Sequence, residues 1–150
     1  MDDLGRTVCY FTLSKKLLEL DNLKIINKPQ ECDRIGSLLD KTTAGYDDEL
    51  HPIGIINFEY YDVSSLLKSN GDLFLETIET NVIVTKKDII KKMLPKNLKK
   101  GICIIEIKEN GMEWSSVFEE FGLAGYKMPT AVLYSKDIPT LLRYNLIVAR

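Results

Sequence analysis

The chain has 150 residues, of which 45% are hydrophobic and 28% are charged, and its formal net charge at pH 7 is −2. This size and composition fit one folded domain, covering residues 1–150, with a substantial core. They exclude a strongly basic footprint for nucleic acid, so direct nucleic-acid binding is not expected. No apolar run approaches the ~18–20 residues that a membrane-spanning helix needs, so we expect no membrane partner.

The N-terminus and the cysteines both predict a cytoplasmic protein. The first residues, MDDLGRTVCYF, are acidic, whereas a secretory signal begins with positive charge and continues into a longer apolar stretch. Cys9, Cys32 and Cys103 are odd in number and form no C-x-x-C pair, so we interpret them as reduced, buried thiols. Neither G-x-G-x-x-G nor a Walker A motif occurs, and no cofactor is expected.

The N-terminal third is the least regular part of the chain. Strands are predicted over 8–13 and 23–26, with a short helix over 15–20 between them. Pro29 fits the first turn of a further helix. The apolar stripe of that helix consists of Ile35, Leu38 and Leu39. The segment 42–52 contains a glycine, an acidic triplet and a proline, and it is predicted to be a loop.

The hydrophobic alternation then becomes regular. A strand is predicted over 53–60, and Asp62 is a plausible N-cap for a short helix that ends near 70–71. The segment 73–75 is predicted to be a short edge strand, and 82–85 a further strand.

A lysine-rich helix is predicted between 82–85 and the next strand. Its apolar face consists of Ile89, Ile90, Met93 and Leu94, and Pro95 follows its end. The lysines are Lys86, Lys87, Lys91, Lys92, Lys96, Lys99 and Lys100. A basic face binds phosphates, but this one has no aromatic or arginine side chain for base stacking or bidentate recognition. We interpret it as a solvated helix face.

The C-terminal part completes an α/β pattern. A continuous apolar strand over 102–107 is typical of a strand buried on both faces, and 113–121 has helical apolar spacing. A strand over 130–134, a short helix over 138–143 and a last strand over 146–149 follow. These elements predict a single compact α/β domain with a central mixed β-sheet flanked by short helices. Short connections predict that part of the sheet is parallel.

Glu106-Ile107-Lys108 is the one local match to a catalytic motif. Alternation places Glu106 and Lys108 on one face of their strand. The motif resembles the restriction-endonuclease-like family, where such a pair, with an additional Asp, holds Mg²⁺ and polarises a phosphodiester. The preceding predicted strand, 82–85, has no Asp. Two hypotheses stay open: a Mg-dependent nuclease-like enzyme, or a strand end that emerges into solvent with a cross-strand charge pair.

An acidic stretch with neighbouring tyrosines predicts a surface for a basic partner. The triplet 47–49 is followed by His51, the only histidine, but the spacing matches no metal-binding loop and no catalytic constellation surrounds it. We therefore predict no metal site and no catalytic residue here. One tyrosine of the pair 60–61 faces outward if this segment is a strand. The predicted partner-binding residues are Tyr46, Asp47, Asp48, Glu49, Tyr60 and Tyr61.

The segment 71–111, about a quarter of the chain, reads GDLFLETIETNVIVTKKDIIKKMLPKNLKKGICIIEIKENG. It is similar to immunity proteins of bacterial polymorphic-toxin and contact-dependent growth-inhibition systems, in which a strand leads into a helix and an apolar strand follows a glycine. The resemblance implies a binding protein that neutralises one cognate toxin, often a nuclease, by blocking its active site or substrate path. It carries over no site residues. The further alternative is an accessory subunit of a larger assembly.

Overall fold

The computed structural model describes residues 8–10, 23–25, 29–44, 52–68, 73–84, 100–122 and 128–149. The α-helices in these ranges are α1 (Cys32–Thr42), α2 (Tyr60–Leu67) and α3 (Trp114–Gly122), and a 3-10 turn, Pro29–Glu31, precedes α1. The strands are β1 (Val8–Tyr10), β2 (Leu23–Ile25), β3 (Thr43–Ala44), β4 (Phe58–Glu59), β5 (Leu73–Thr80), β6 (Lys100–Lys108), β7 (Thr130–Ser135) and β8 (Leu142–Ala149). The predicted helix over 15–20 and residues 85–99 of the lysine-rich segment lie outside the described residues. Of the predicted loop over 42–52, residues 45–51 also lie outside, whereas Thr42 ends α1 and Thr43–Ala44 form β3.

The main sheet is a four-stranded mixed sheet with the order β5-β8-β6-β7. Strand β8 is antiparallel to both β5 and β6, whereas β6 and β7 are parallel. Two smaller pairs lie outside it: β1 with β2, antiparallel, and β3 with β4, parallel. The protein is thus a compact α/β fold with a mixed sheet, as the sequence predicted, and part of the sheet is parallel.

Helices cover both faces of the main sheet, because alternate residues of its central strands are apolar on both sides. Helices α1 and α2 pack on the first face. Their buried residues there are Ile35, Leu38, Leu39, Val63, Leu66 and Leu67. Helix α3 packs on the second face through Val117 and Phe121. Each such apolar side chain contributes roughly 1.5–3 kcal/mol when it is fully buried.

The segment 53–60 differs from the predicted strand. Only β4 is extended there, Ile56 forms an isolated bridge to Val132, and α2 begins at Tyr60. A capping box causes the early helix start: the main-chain N–H of Glu59 donates to the Asp62 carboxylate at 3.2 Å, and the Glu59 carboxylate accepts from the N–H of Asp62. Asp62 is therefore the third helical residue, not the N-cap.

Two further strands differ in their bounds. The predicted edge strand 73–75 is an edge strand, but it runs to Thr80, and 81–84 is irregular instead of a strand. The predicted helix 138–143 is wrong, since 136–141 is irregular and β8 begins at Leu142. The polar residues at 143 and 145 interrupt the apolar pattern of β8. The strand tolerates them because both form hydrogen bonds with partners on the neighbouring strand β6.

Candidate functional site

Glu106 lies in the first face of the main sheet, where it forms a buried ion pair with Arg143. The two residues are register partners on β6 and β8. Nε of Arg143 donates to Oε2 of Glu106, and Nη2 donates to Oε1 at 2.9 Å. Glu106 is only 2% exposed. The hydrogen bond from Arg143 to this carboxylate raises the pKa of Arg143 above its usual value, and burial partly opposes that rise.

The same carboxylate is also joined to helix α1. Nδ2 of Asn145 donates to Oε2 of Glu106 at 3.1 Å and to the carbonyl oxygen of Ile104 at 3.0 Å. Nη1 of Arg34, in the first turn of α1, lies 3.5 Å from Oε2 and donates to Oδ1 of Asn145 at 2.7 Å. Nη2 of Arg34 donates to the hydroxyl of Thr77 at 3.2 Å. The network fastens α1 to three adjacent strands.

Two acidic residues complete this network at its solvent side. Glu31 accepts from Nε of Arg34 at 2.5 Å, and Glu79 lies 3.6 Å from Nη1 of Arg143. Three carboxylates therefore surround two guanidinium groups. The arrangement is a stabilising charge network, since each buried ion has both an opposite charge and hydrogen bonds.

This geometry bears on the nuclease hypothesis. Alternation along β6 places Lys108 on the face of Glu106, with Ile107 on the opposite face among residues that pack with α3. However, three donor hydrogens from Arg143 and Asn145 occupy the Glu106 oxygens. The guanidinium group of Arg143 occupies the space beside this carboxylate that a Mg²⁺ ion would need. Within the described ranges, no group of three or more His, Cys, Asp or Glu side chains could hold a metal ion.

The predicted partner-binding residues fall partly outside the structure. Tyr46, Asp47, Asp48 and Glu49, together with His51, lie outside the described residues. Tyr60 is half-buried and packs against the core beneath α2, whereas Tyr61 is 74% exposed. Because the two tyrosines belong to the first turn of a helix, they point in different directions, and Tyr61 is the one available to a partner.

Large exposed apolar side chains mostly belong to one chain segment or to the strand with which it pairs. In the described part of the chain they are Ile53, Ile55, Tyr61, Val82 and Tyr134. Three of these belong to the segment 53–61, and a fourth, Tyr134, belongs to β7, the strand with which that segment pairs. We call the segment 53–61 and Tyr134 the edge surface.

Main-chain hydrogen bonds hold this segment in place. The N–H of Ile53 donates to the carbonyl oxygen of Lys41 at 2.7 Å, at the end of α1. The N–H groups of Ile55 and Ile56 donate to the carbonyl oxygen of Val132 at 2.8 and 3.2 Å, and the N–H of Val132 donates to Ile56 at 2.9 Å. Its exposed side chains therefore project from a fixed backbone, which lowers the entropy lost on binding.

An open cleft lies where the parallel strands β6 and β7 end. It has a volume of about 500 Å³. Among the described residues, its lining consists of Glu109, Asn110, Gly111, Met112, Glu113 and Tyr134. The N–H of Glu109 donates to the carbonyl oxygen of Ser135 at 3.1 Å, and the N–H of Gly111 donates to that of Lys108 at 2.9 Å. The carboxyl ends of parallel strands are a common place for ligand sites in α/β sheets.

Sequence reasoning missed most of these residues. Arg34 and Arg143 lie inside elements of the fold, and an acidic residue in an apolar strand such as β6 requires a buried cation. That requirement was a usable signal for the network. No comparable signal marked Ile53, Ile55 or the cleft, because their exposure depends on where the chain crosses β7.

Comparison of the chain with protein-family models and with curated protein sequences gives no match. No helix in the described ranges combines the length and apolarity required to cross a membrane.

Proposed function

We propose that this chain is a protein-binding module that neutralises a cognate toxin, as bacterial immunity proteins do, by blocking the active site or substrate path of the toxin. The observation that carries the proposal is the edge surface, where four of the five large exposed apolar residues of the described chain lie on one segment and its partner strand. Aromatic and aliphatic side chains on a rigid backbone are typical anchors of a protein interface. The protein acts by binding, not by catalysis.

The charge near these anchors suits a basic partner. Glu59 and Asp62, on either side of Tyr61, are carboxylates at the start of α2. In the sequence, the triplet 47–49 adds three more acidic residues shortly before the segment 53–61. A toxin that acts on nucleic acid carries positive charge around its active site, and complementary charges accelerate and orient association. We infer that the exposed apolar side chains of the edge surface provide most of the binding free energy, and that the carboxylates attract and orient the basic partner during association.

The pairing of Glu106 favours this proposal over the nuclease alternative. A carboxylate held by Arg143 and Asn145 must break several hydrogen bonds before it could bind a metal ion. The proposal also includes a cytoplasmic location, because the three cysteines of the sequence are odd in number and form no C-x-x-C pair.

The test begins with capture of partners on the tagged protein in the native cells, and continues with the purified partner. The dissociation constant is then measured by calorimetry for wild type, Tyr61→Ala, Ile53→Ser and Val82→Ser. Val82 is the matched control, because it is 63% exposed, close to the 67% of Ile53, but lies outside the edge surface. We expect the first two variants to weaken binding at least about tenfold and the control to change it little.

Inhibition and salt dependence complete the test. The wild-type protein should abolish the toxic activity of the captured partner at equimolar concentration. Reversal of the charges at Asp47, Asp48 and Glu49 to lysine should slow association and flatten its dependence on ionic strength. A captured protein whose activity is unchanged by the chain, or variants of Tyr61 and Ile53 that bind as tightly as wild type, would contradict the proposal. Mg-dependent cleavage of nucleic acid that Glu106→Ala abolishes, with the fold intact, would replace it with the nuclease alternative.

A further inference from the structure

The cleft at the ends of β6 and β7 has walls of mixed character. Tyr134 supplies an aromatic ring that is 40% exposed, and Met112 supplies a half-buried thioether. Glu109 and Glu113 supply two exposed carboxylates, and the described lining contains no lysine, arginine or histidine. An aromatic face, a soft apolar wall and two anionic oxygen pairs therefore border a single open space of about 500 Å³.

We propose that this cleft binds a guanidinium group carried on an alkyl chain, as in an arginine side chain. A guanidinium ion is planar, so it stacks on an aromatic ring while its N–H edges donate to carboxylates. Its alkyl stem has an apolar surface that suits the thioether of Met112. The carboxylates at 109 and 113 make an anionic ligand unfavourable in the same space, although α3 begins at Trp114.

The main chain presets one wall of the cleft. Besides the hydrogen bonds of Glu109 and Gly111, Asn110 adopts a left-handed backbone conformation with φ of 61°, which asparagine tolerates better than most residues. A Cβ atom on Gly111 would lie 2.8 Å from the carbonyl oxygen of Lys108, so only glycine fits that position without displacement. A preset loop loses little conformational entropy when a ligand binds.

The position of Tyr134 shows how a polypeptide could supply the guanidinium group. Both main-chain groups of Val132 bond to the segment at Ile56, at the outer edge of β7. Main-chain groups two residues apart point to the same side of a strand, so those of Tyr134 face the same edge. An extended peptide that pairs there would carry a side chain past the cleft. The guanidinium site itself does not depend on the proposed function, since a free alkylguanidinium would also fit.

The test is an NMR titration of the full-length, isotope-labelled chain with L-argininamide, alongside L-citrullinamide, which has nearly the same shape but no charge. We expect saturable shifts of the amides at 109–113 and 134 with argininamide, and at least tenfold weaker binding of citrullinamide. A peptide with one central arginine between valines distinguishes the source. Tighter binding of the peptide than of argininamide assigns the site to a polypeptide, and equal binding assigns it to a small guanidinium compound.

Variants separate a built site from general electrostatic attraction. Glu109→Gln with Glu113→Gln, and separately Tyr134→Leu, should each weaken argininamide binding at least tenfold. The control is Glu119→Gln with Glu120→Gln, which removes the same charge from exposed positions on α3 and should leave binding within twofold. The proposal is overturned if argininamide gives no saturable shift at these amides, if citrullinamide binds equally well, or if the α3 control weakens binding as much as the cleft variant. None of these outcomes depends on whether a toxin partner exists.

Discussion

Glu106 on β6 and Arg143 on β8 face each other in register and are joined by two hydrogen bonds between the guanidinium group and the carboxylate. Arg34 of α1 reaches the same carboxylate and two further side chains on β5 and β8. A charge network thus takes the place of apolar packing at one end of the first sheet face. This network sets the position of α1. The carbonyl oxygen of Lys41, in the last turn of α1, accepts a hydrogen bond from the N–H of Ile53, where the edge surface begins.

Replacement of Glu106 by alanine should lower the free energy of unfolding by about 3–5 kcal/mol, because it leaves two mostly buried guanidinium groups without their central anion. Urea denaturation measures the change. The control is Glu79→Ala, since Glu79 is 43% exposed and lies 3.6 Å from Arg143, and it should cost less than about 1 kcal/mol. The double variant Glu106→Leu with Arg143→Leu should recover part of the loss. Equal effects of Glu106→Ala and Glu79→Ala would contradict a buried network.

Arg34→Lys should loosen α1 although it preserves the charge. A lysine ammonium is a single point of donation, whereas the fork of Arg34 reaches Glu31, Asn145 and Thr77. We expect a loss of about 1–2 kcal/mol and faster hydrogen exchange of the α1 amides. Lys41→Ala, at an exposed position in the last turn of the same helix, should change stability by less than about 0.5 kcal/mol. Unchanged exchange in Arg34→Lys would show that this side chain does not anchor the helix.

Tyr144 should make stability fall in alkaline solution. Burial raises the pKa of its phenol to about 12 from 10.0. The folded state therefore holds this proton more tightly than the unfolded chain, so the contribution to stability is fully present below pH 10.0 and is lost as the pH rises towards about 12. Relative to Tyr144→Phe, wild type should lose roughly 2 kcal/mol across that window.

The comparison of the two proteins at neutral pH is the internal control for this measurement. There the tyrosine is protonated in both states, and the difference reports the hydrogen bond from the N–H of Val84 to the phenol oxygen, 3.3 Å long. That bond should be worth about 1 kcal/mol and should not vary with pH between 6 and 8. Parallel stability curves for wild type and Tyr144→Phe above pH 10 would contradict the burial of a titrating phenol.

Local patterns predicted the elements whose interactions are mostly apolar. Strand β6 was predicted from its continuous run of apolar residues, and helix α3 from apolar residues at helical spacing. Strand β8 was partly mistaken for a helix, because Arg143 and Asn145 interrupt its apolar run. Their partners, Glu106 and Ile104, are separated from them by 37 and 41 residues, and no local pattern carries that information.

The candidate site was less predictable than the fold for the same reason. The sequence predicted that one tyrosine of the pair 60–61 faces outward but not which one, and in the structure Tyr61 is exposed whereas Tyr60 is half-buried against the core. The cause is the capping box at Glu59 and Asp62, which starts a helix where alternation suggested a strand. The cleft at 109–113 exists only because β6 and β7 are parallel neighbours, a pairing that short-range sequence features do not specify.

Gly54→Ala should displace the edge surface from β7. A Cβ atom at this position would lie 2.4 Å from Oδ1 of Asn57, 3.0 Å from the carbonyl oxygen of Ile56 and 3.1 Å from that of Val132, so the Asn57 side chain has to turn away and the main chain has to shift by a few tenths of an ångström. We expect a loss of about 1–3 kcal/mol in the free energy of unfolding and reduced protection of the Ile55 and Ile56 amides, which donate to Val132. Ile53→Ala, which shortens an exposed side chain of the same segment, is the control and should leave both quantities nearly unchanged. Adding Asn57→Ala to Gly54→Ala removes the closest obstacle and should restore part of the amide protection. If the glycine variant keeps wild-type stability and protection, the close approach of this segment to β7 is wrong.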